Sequence, residues 1–508
     1  MYPGTHAKTT PDKPALIVAG TGRTVTYREL DERSNRLAQW WHAAGLRTGD
    51  GVAMLLPNTA EVLEIYWAAM RSGLYVTAIN FNLSADEASY IVNDANARSL
   101  VVHADLADLA TEVAKRCPQL DFKLAIGTVD GYDDYETALA GSTPEPLAHE
   151  PRGADMLYSS GTTGRPKGVK LPIPGTLAAD DPGVITPLLK MLWAFDDSTV
   201  YLSPAPMYHA APLRFCAGVQ SLGGTVVMME KFDAQRSLEL IEKYSVTHSQ
   251  WVPTHFVRML KLDESVRSAA DVSSLKIAIH AAAPCPVEVK AQMIDWWGPI
   301  VHEYYASTES NGLTFVTPQD WLAHPGTVGR AALGVLRICR DDGSICDVGE
   351  PGDVYFERDE LPFEYHNDPT KTKGAQHPEH PTWTTVGDMG YVDAEGFLYL
   401  TDRKAFMIIS GGVNIYPQEI EDALALHPSV DDVAVIGIPD PEMGERVKAF
   451  VQAAPGATPG PELEEELMAF LRDKIAGFKI PRVWEFRDSL PRTATGKLQK
   501  GLLKERTA

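Results

Sequence analysis

Strand-like and helix-like patterns alternate along residues 24–120 and again along 198–297, and that rhythm constrains the fold more than any other feature. The first helix is announced by Thr26 with Glu29 three residues on, a pairing that caps a helix start. Leu30, Leu37, Trp40 and Trp41 then fall on one face of a helix over 26–44, and Gly45 is a natural stop. Residues 52–56 read as a short buried strand ended by Pro57, 59–72 as helix, 75–79 as strand and 84–95 as helix. The second stretch repeats this with strands at 199–203, 246–252 and 275–280 and helices at 234–243, 254–261 and 286–297. Strands separated by helices require crossover connections, so the expected core is a mainly parallel, doubly wound α/β sheet. After about residue 330 short β-like runs with Gly and Asp turns predict a β-rich piece. From 403 onward a strand at 407–410, a helix at 417–426, strands at 432–438 and 447–452 and an amphipathic helix at 461–475 predict a small α/β domain. The expected division is a large domain over 1–402 and a small one over 403–508.

The 508 residues carry 46 Lys and Arg against 68 Asp and Glu, a net charge of −22. A surface that acidic disfavours broad contact with nucleic acid or anionic lipid, while leaving room for a local basic pocket. Five cysteines are too few for a disulfide framework, and none has zinc-site spacing. The start lacks a basic region followed by an apolar stretch, and no apolar run approaches membrane-spanning length, so a cytoplasmic protein is expected. The Pro-rich loop at 377–382 holds two histidines, read as solvated side chains.

Eleven residues from Tyr158 to Gly168 (YSSGTTGRPKG) hold three glycines, four Ser/Thr hydroxyls and two cations after a short apolar strand. Glycine lets backbone N–H groups approach a polyphosphate, hydroxyls donate to it and Lys167 offsets its charge. The stretch is not a Walker A loop, because Gly168 and not Ser or Thr follows the lysine. Composition alone leaves a flexible surface loop equally open.

The order of these residues resembles the phosphate-binding signature of the adenylate-forming superfamily, which includes acyl-CoA synthetases, aryl-CoA ligases and nonribosomal adenylation domains. Further segments follow in the family's order over nearly the whole chain. Pro206-Met207-Tyr208-His209-Ala210 resembles the segment beside the acyl pocket. Ala281-Ala282-Ala283-Pro284 is similar to the wall against adenine, where the family often has glycine. Tyr304-Tyr305-Ala306-Ser307-Thr308-Glu309 resembles the Tyr-Gly-x-Thr-Glu motif. Val386-Gly387-Asp388 resembles the ribose-binding segment, and Asp402-Arg403-Lys404 through Gly411-Gly412-Val413-Asn414 the hinge and its glycine loop. Residues 491–497 (PRTATGK) are similar to the motif that ends in the catalytic lysine.

The resemblance implies ATP, Mg²⁺ and coenzyme A as partners of a small-molecule carboxylic acid, and it implies a role for each residue. Thr163 and Lys167 would bind the departing phosphates, with Ser159, Ser160, Gly161, Thr162 and Gly164 lining the loop. Glu309 would hold Mg²⁺ through a hard oxygen ligand. Ala282, Ala283, Pro284, Tyr304, Tyr305, Thr308, Asp388 and Arg403 would contact the nucleotide. Lys497 would bridge carboxylate and α-phosphate, offsetting charge where two anions meet. His209 would gate the acyl pocket, drawn from Tyr208, Leu213, Trp251, Val252, Pro253, His255 and Gly312. That lining is mostly aromatic and apolar and suits a hydrophobic acyl or aryl group. Trp251, His255 and His209 can equally be packed core residues, and Asp388, Glu309 or Lys497 taken singly can be turn caps or solvated charges.

One departure stands out. Where the family's hinge usually continues with polar or charged residues, Ala405 and Phe406 follow Lys404. The change is either a harmless packing variation or a sign of an acceptor other than coenzyme A. Gly411, Gly412 and Arg482 are expected on the coenzyme A side, and with no carrier-domain tail a freestanding thioester-forming ligase is the first reading. The alternatives are a carrier-protein thiol, an amine or nitrite-type chemistry as acceptor and, outside enzymes, a nucleotide sensor. A homodimer follows from the resemblance only.

Overall fold

The structure, a computed structural model, describes residues 2–159, 166–403, 406–410, 413–492 and 498–504, with the side chains of Asp402 and Arg403 also outside the described set. The chain divides into two units. One comprises Met1–Gln250, Ala270–Ile277 and Pro362–Lys373, and the other Trp251–Ala269, Ala278–Leu361 and Gly374–Ala508. No helix among the described residues is long and apolar enough to cross a membrane.

In the first unit an eight-stranded sheet runs in the order Glu364–Tyr365, Lys167–Lys170, Ala154–Ser159, Tyr75–Ala78, Gly51–Leu55, Ala97–His103, Phe122–Ile126, Asp133–Asp134. From Ala154–Ser159 onward every pairing is parallel. Helices Glu61–Met70, Ala85–Asp94 and Ala107–Arg116 supply the crossovers that parallel strands need. Strands Gly51–Leu55 and Tyr75–Ala78 are buried along their whole length, as expected of strands covered on both faces. The two strands at the opposite edge are antiparallel. A second set follows the order His248–Trp251, Val200–Ser203, Thr225–Met228, Pro14–Val18, Thr24–Thr26, parallel until the last pair.

Helix starts follow local chemistry. Thr26 accepts from the Glu29 backbone while Glu29 reaches back to the Thr26 N–H at 2.8 Å, and Ser84 with Glu87 repeats the arrangement. The helix expected over 26–44 is Tyr27–Ala43, with Leu30, Leu37 and Trp41 inward. Pro14–Val18 and helix Ala210–Leu222 carry no readable period. The helix is buried almost all round, so no polar face marks it.

In the second unit Ile277–His280 and Val301–Ala306 pair in parallel, and Leu313–Val316 and Arg330–Leu333 continue antiparallel. The β-rich piece expected after 330 is a four-stranded antiparallel sheet of Val335–Cys339, Gly352–Glu357, Trp383–Val392 and Leu398–Arg403. Its attached loop corrects one expectation. His377 is buried, its Nε2 is 2.8 Å from the Gly343 carbonyl and its Nδ1 accepts from the Glu379 N–H, so it is a structural histidine and not a solvated one. His380 stacks on Trp383 at 4.0 Å.

The C-terminal stretch builds its own sheet around a long hairpin, Val430–Asp440 with Gly444–Ala453, longer at both ends than the expected strands. Helices Pro417–Leu424 and Pro461–Arg472 contribute Ile420, Leu424, Leu463, Leu467 and Leu471 to a core with Val435 and Val451. Leu467 is fully buried there. Leu467→Ala is expected to cost about 2–5 kcal/mol, read as a lower urea midpoint for the unfolding of this segment.

Candidate active site

The first unit holds the phosphate strand and the acyl-side segment. Strands Ala154–Ser159 and Lys167–Lys170 pair with Ser159 opposite Lys167. Ser160, Gly161, Thr162, Thr163 and Gly164 lie outside the described residues. The hairpin's base is well braced. A side chain at Gly168 would meet the Tyr158 ring at 2.9 Å, so glycine here admits the tyrosine, whose hydroxyl donates to Asp94 at 2.6 Å. Asp94 also accepts from Asn367, and the Gly168 carbonyl accepts from the His366 N–H at 2.8 Å. The Lys167 ammonium lies 4.9 Å above the Tyr365 ring.

On the acyl side His209 is the residue before helix Ala210–Leu222, in extended backbone, with its ring 4.4 Å from that of Tyr208. Tyr208 is buried edge-on against Phe81 and accepts from Asn82. Leu213 is fully buried one turn on. Two supports were not legible in the sequence. Asn58 accepts from the Met207 N–H at 2.8 Å and donates to the carbonyls of Ala205 and Met229, pinning the segment that ends in Tyr208 and His209. Arg214 grips Asp155 with two bonds of 2.9 and 2.6 Å, tying this helix to the phosphate strand. Neither could be found from spacing, because the partners are 59 residues or more apart.

The second unit carries the expected nucleotide side. Tyr305 donates from its hydroxyl to Asp388 Oδ2 at 2.7 Å, which fixes a carboxylate that is itself buried. Asp388 and Arg403 are backbone register partners in the strand pair Trp383–Val392 and Leu398–Arg403. Tyr304 is buried on the other face of its strand, and Thr308 is partly exposed in the turn that follows. Glu309 sits in that turn and is buried. Ser307 donates to Asn311, Asn311 donates to the Thr384 carbonyl, and Arg358 donates to the Ser310 carbonyl, so the turn is held from three sides.

Ala282 has φ 78 and Ser310 φ 54, left-handed backbone in residues that are not glycine. Each costs on the order of 1–3 kcal/mol, a cost that concentrates where function imposes a shape. Both fall in segments expected at the nucleotide. Gly312 serves packing: a Cβ there would sit 2.0 Å from the Phe356 ring.

Trp251 and His255 belong to an aromatic cluster with Phe256 and Trp297, and both are buried. Val252 and Pro253 are buried beside them, at the start of helix Pro253–Leu260. Arg482 is exposed just before strand Val483–Phe486. Lys404, Ala405, Gly411, Gly412 and Lys497 lie outside the described residues. The flanks of 493–497 are firmly held. Arg492 makes two 2.6 Å bonds to Asp432, and Lys500 is buried 2.9 Å from Glu421 with its ammonium 5.6 Å from the Phe406 ring.

The donor set fits a nucleotide with Mg²⁺. Among the described residues no three His, Cys, Asp or Glu side chains converge. Mg²⁺ is typically bound through one or two carboxylates, with phosphates and waters completing its shell, so a single buried Glu309 suits it.

The comparisons with known proteins define the class as an adenylating ligase. Residues 4–365 match the AMP-binding enzyme family and 419–497 its C-terminal domain, and the chain belongs to that family. It is 32% identical to a feruloyl-CoA synthase of Amycolatopsis sp., over 99% of this chain and 98% of that one. It is 31% identical to the fatty acid–[acyl-carrier-protein] ligase ScoC of Streptomyces coeruleorubidus, over 99% and 95%. Its fold superposes on the anthranilate CoA ligase AuaEII in complex with anthranoyl-AMP with a TM-score of 0.86 at 25% identity, covering 99% and 96% of the two chains.

Burial, with Arg258 nearby, lowers His255 from its ordinary 6.5 to about 3. A base depressed in the folded state contributes stability that is full above its unfolded value and is lost as pH falls toward the folded value. Thermal stability should therefore decline from pH 6.5 downward. His255→Phe should flatten that decline in melts taken between pH 7 and pH 4 (roughly the window between the two protonation states).

Proposed function

We propose that this chain joins a hydrophobic monocarboxylic acid, aromatic or fatty, to coenzyme A in two steps. The acid's carboxylate oxygen attacks the α-phosphorus of ATP, and the bond to the β-phosphate bridging oxygen breaks, releasing pyrophosphate. The thiol sulfur then attacks the acyl carbon, its proton passes to solvent, and AMP leaves. The observation that carries the reading is full-length similarity to ligases of aromatic and fatty acids. The Tyr305–Asp388 pair supports it.

The chemistry assigns the roles. Two anions must meet, so cations have to converge on them. Lys167 and Thr163 hold the departing phosphates. Lys497 bridges carboxylate and α-phosphate, 330 residues further along the chain (497 − 167). Glu309 would hold Mg²⁺, which would supply charge neutralisation at the phosphates. Asp388, oriented by Tyr305, accepts from the ribose hydroxyls, and Arg403 and Thr308 complete the nucleotide contacts. Ala282, Ala283 and Pro284 flank adenine. Tyr208, His209 and Leu213 face the acid, and Gly411, Gly412 and Arg482 the thiol substrate. We place the hinge near 403, between domains 1–402 and 403–508, and take the enzyme to be cytoplasmic and homodimeric.

A second reading keeps the first step and changes the acceptor to a carrier-protein thiol. The similarity to a fatty acid–carrier-protein ligase favours it, as does Phe406 in the expected hinge. Mass spectrometry of products from fatty, benzoic and cinnamic acids, with and without coenzyme A, separates the two. Acid-dependent pyrophosphate release is expected, and its absence over the whole panel would sink both.

Lys497→Ala should abolish ATP–pyrophosphate exchange yet form thioester from supplied acyl adenylate. Normal exchange would remove Lys497 from the chemistry. Tyr305→Phe removes a hydrogen bond to a charged group, worth about 1.5 kcal/mol or more. AMP binding measured by calorimetry should weaken about tenfold.

A further inference from the structure

Flanking the segment 281–284 in sequence is a cluster of buried titratable side chains with no part in the proposed chemistry. Lys290, on helix Val287–Trp297, is fully buried and donates to Glu303 Oε2 at 2.6 Å. Its ammonium also lies 4.8 Å from the ring of buried Trp321. His280 Nε2 is 3.4 Å from the same Glu303 oxygen, and the His280 ring meets Phe256 edge-on at 5.4 Å. His280 and Glu303 are register partners on adjacent parallel strands. Burial, with Lys290 and His302 adding to it, holds His280 well below its ordinary value, so it is neutral and leaves one cation facing one carboxylate.

The placement gives the cluster its meaning. His280 immediately precedes Ala281, and Glu303 immediately precedes Tyr304 and Tyr305. The ion pair thus lies level with the end of strand Ile277–His280, where segment 281–284 departs, and within strand Val301–Ala306 just before Tyr304 and Tyr305. A buried ion pair is a poor way to gain stability, because desolvation offsets most of its attraction and apolar residues of similar volume often serve as well. Its best-attested use is to select one arrangement over near alternatives, since any slip strands a charge in the core. Left-handed Ala282 requires such an external constraint, because alanine does not hold that conformation by itself.

We propose that Lys290 and Glu303 are positioning residues for nucleotide binding: their buried ion pair locks segment 281–284 against strand Val301–Ala306 in the arrangement that receives the adenylate. This rests on the functional reading above. The test compares the full-length wild type with the double variant Lys290→Met/Glu303→Leu. It measures thermal midpoint, calorimetric Kd for ATP, and KM for ATP and for the acid. The double variant should melt within a few degrees of wild type and keep its KM for the acid, while Kd and KM for ATP rise about tenfold, a change of about 1.4 kcal/mol. An unchanged Kd for ATP would overturn the proposal, and so would equal losses for ATP and acid. Glu303→Gln keeps the shape and a hydrogen-bond acceptor and guards against a misfolded double variant. It should also weaken ATP binding, and wild-type affinity there would count against the ion pair. Wild type that fails to bind ATP at all would refute the functional reading instead.

Discussion

Phe356 packs where Gly312 has no side chain, and the expected nucleotide side of the second unit depends on that contact. Any Cβ at 312 would enter the ring, so the glycine is fixed by volume and not by backbone freedom. Phe356 belongs to strand Gly352–Glu357, which pairs with Trp383–Val392, the strand that carries Asp388. Its ring also lies 6.2 Å from that of Tyr305. One packing contact thereby aligns the small antiparallel sheet with strand Val301–Ala306 closely enough for the Tyr305 hydroxyl to reach Asp388. Interiors are close-packed, so a displacement of about an ångström at 312 would propagate to the hydrogen bond.

The same logic recurs where charges are buried. Arg214 with Asp155, Lys500 with Glu421 and Lys290 with Glu303 each join a segment of the expected site to a neighbouring element. Such pairs add little net stability once desolvation is counted, but a shift of register would leave a charge unpaired in a low-dielectric interior. Geometry in the segments expected at the site is thus specified by interactions that penalise misplacement. A reaction between two anions needs that exactness of placement, because misaligned cations lose much of their effect.

Local chemistry was legible wherever it acts through near neighbours. Thr26 with Glu29 announced a helix start, and the stripe of Leu463, Leu467 and Leu471 marked the helix expected over 461–475, which ends at Arg472. The family itself could be read from the order and type of the motif residues. Helix Ala210–Leu222 could not, because a helix surrounded by protein has no polar face to create a period. His377 was misjudged for a related reason: a Pro-rich polar loop reads as solvated until a carbonyl from residue 343 closes over it.

Taken alone, the order of residues determined the alternating architecture, the helix caps and the resemblance to adenylating enzymes. Those properties follow from contacts a few residues apart and from side-chain chemistry. Only the tertiary structure decided that Asn58 pins the segment before His209, that Tyr305 points at Asp388, and that Lys290 finds Glu303. Each joins groups between 13 and 149 positions apart, and their meeting is set by strand register and core packing, which no local pattern encodes.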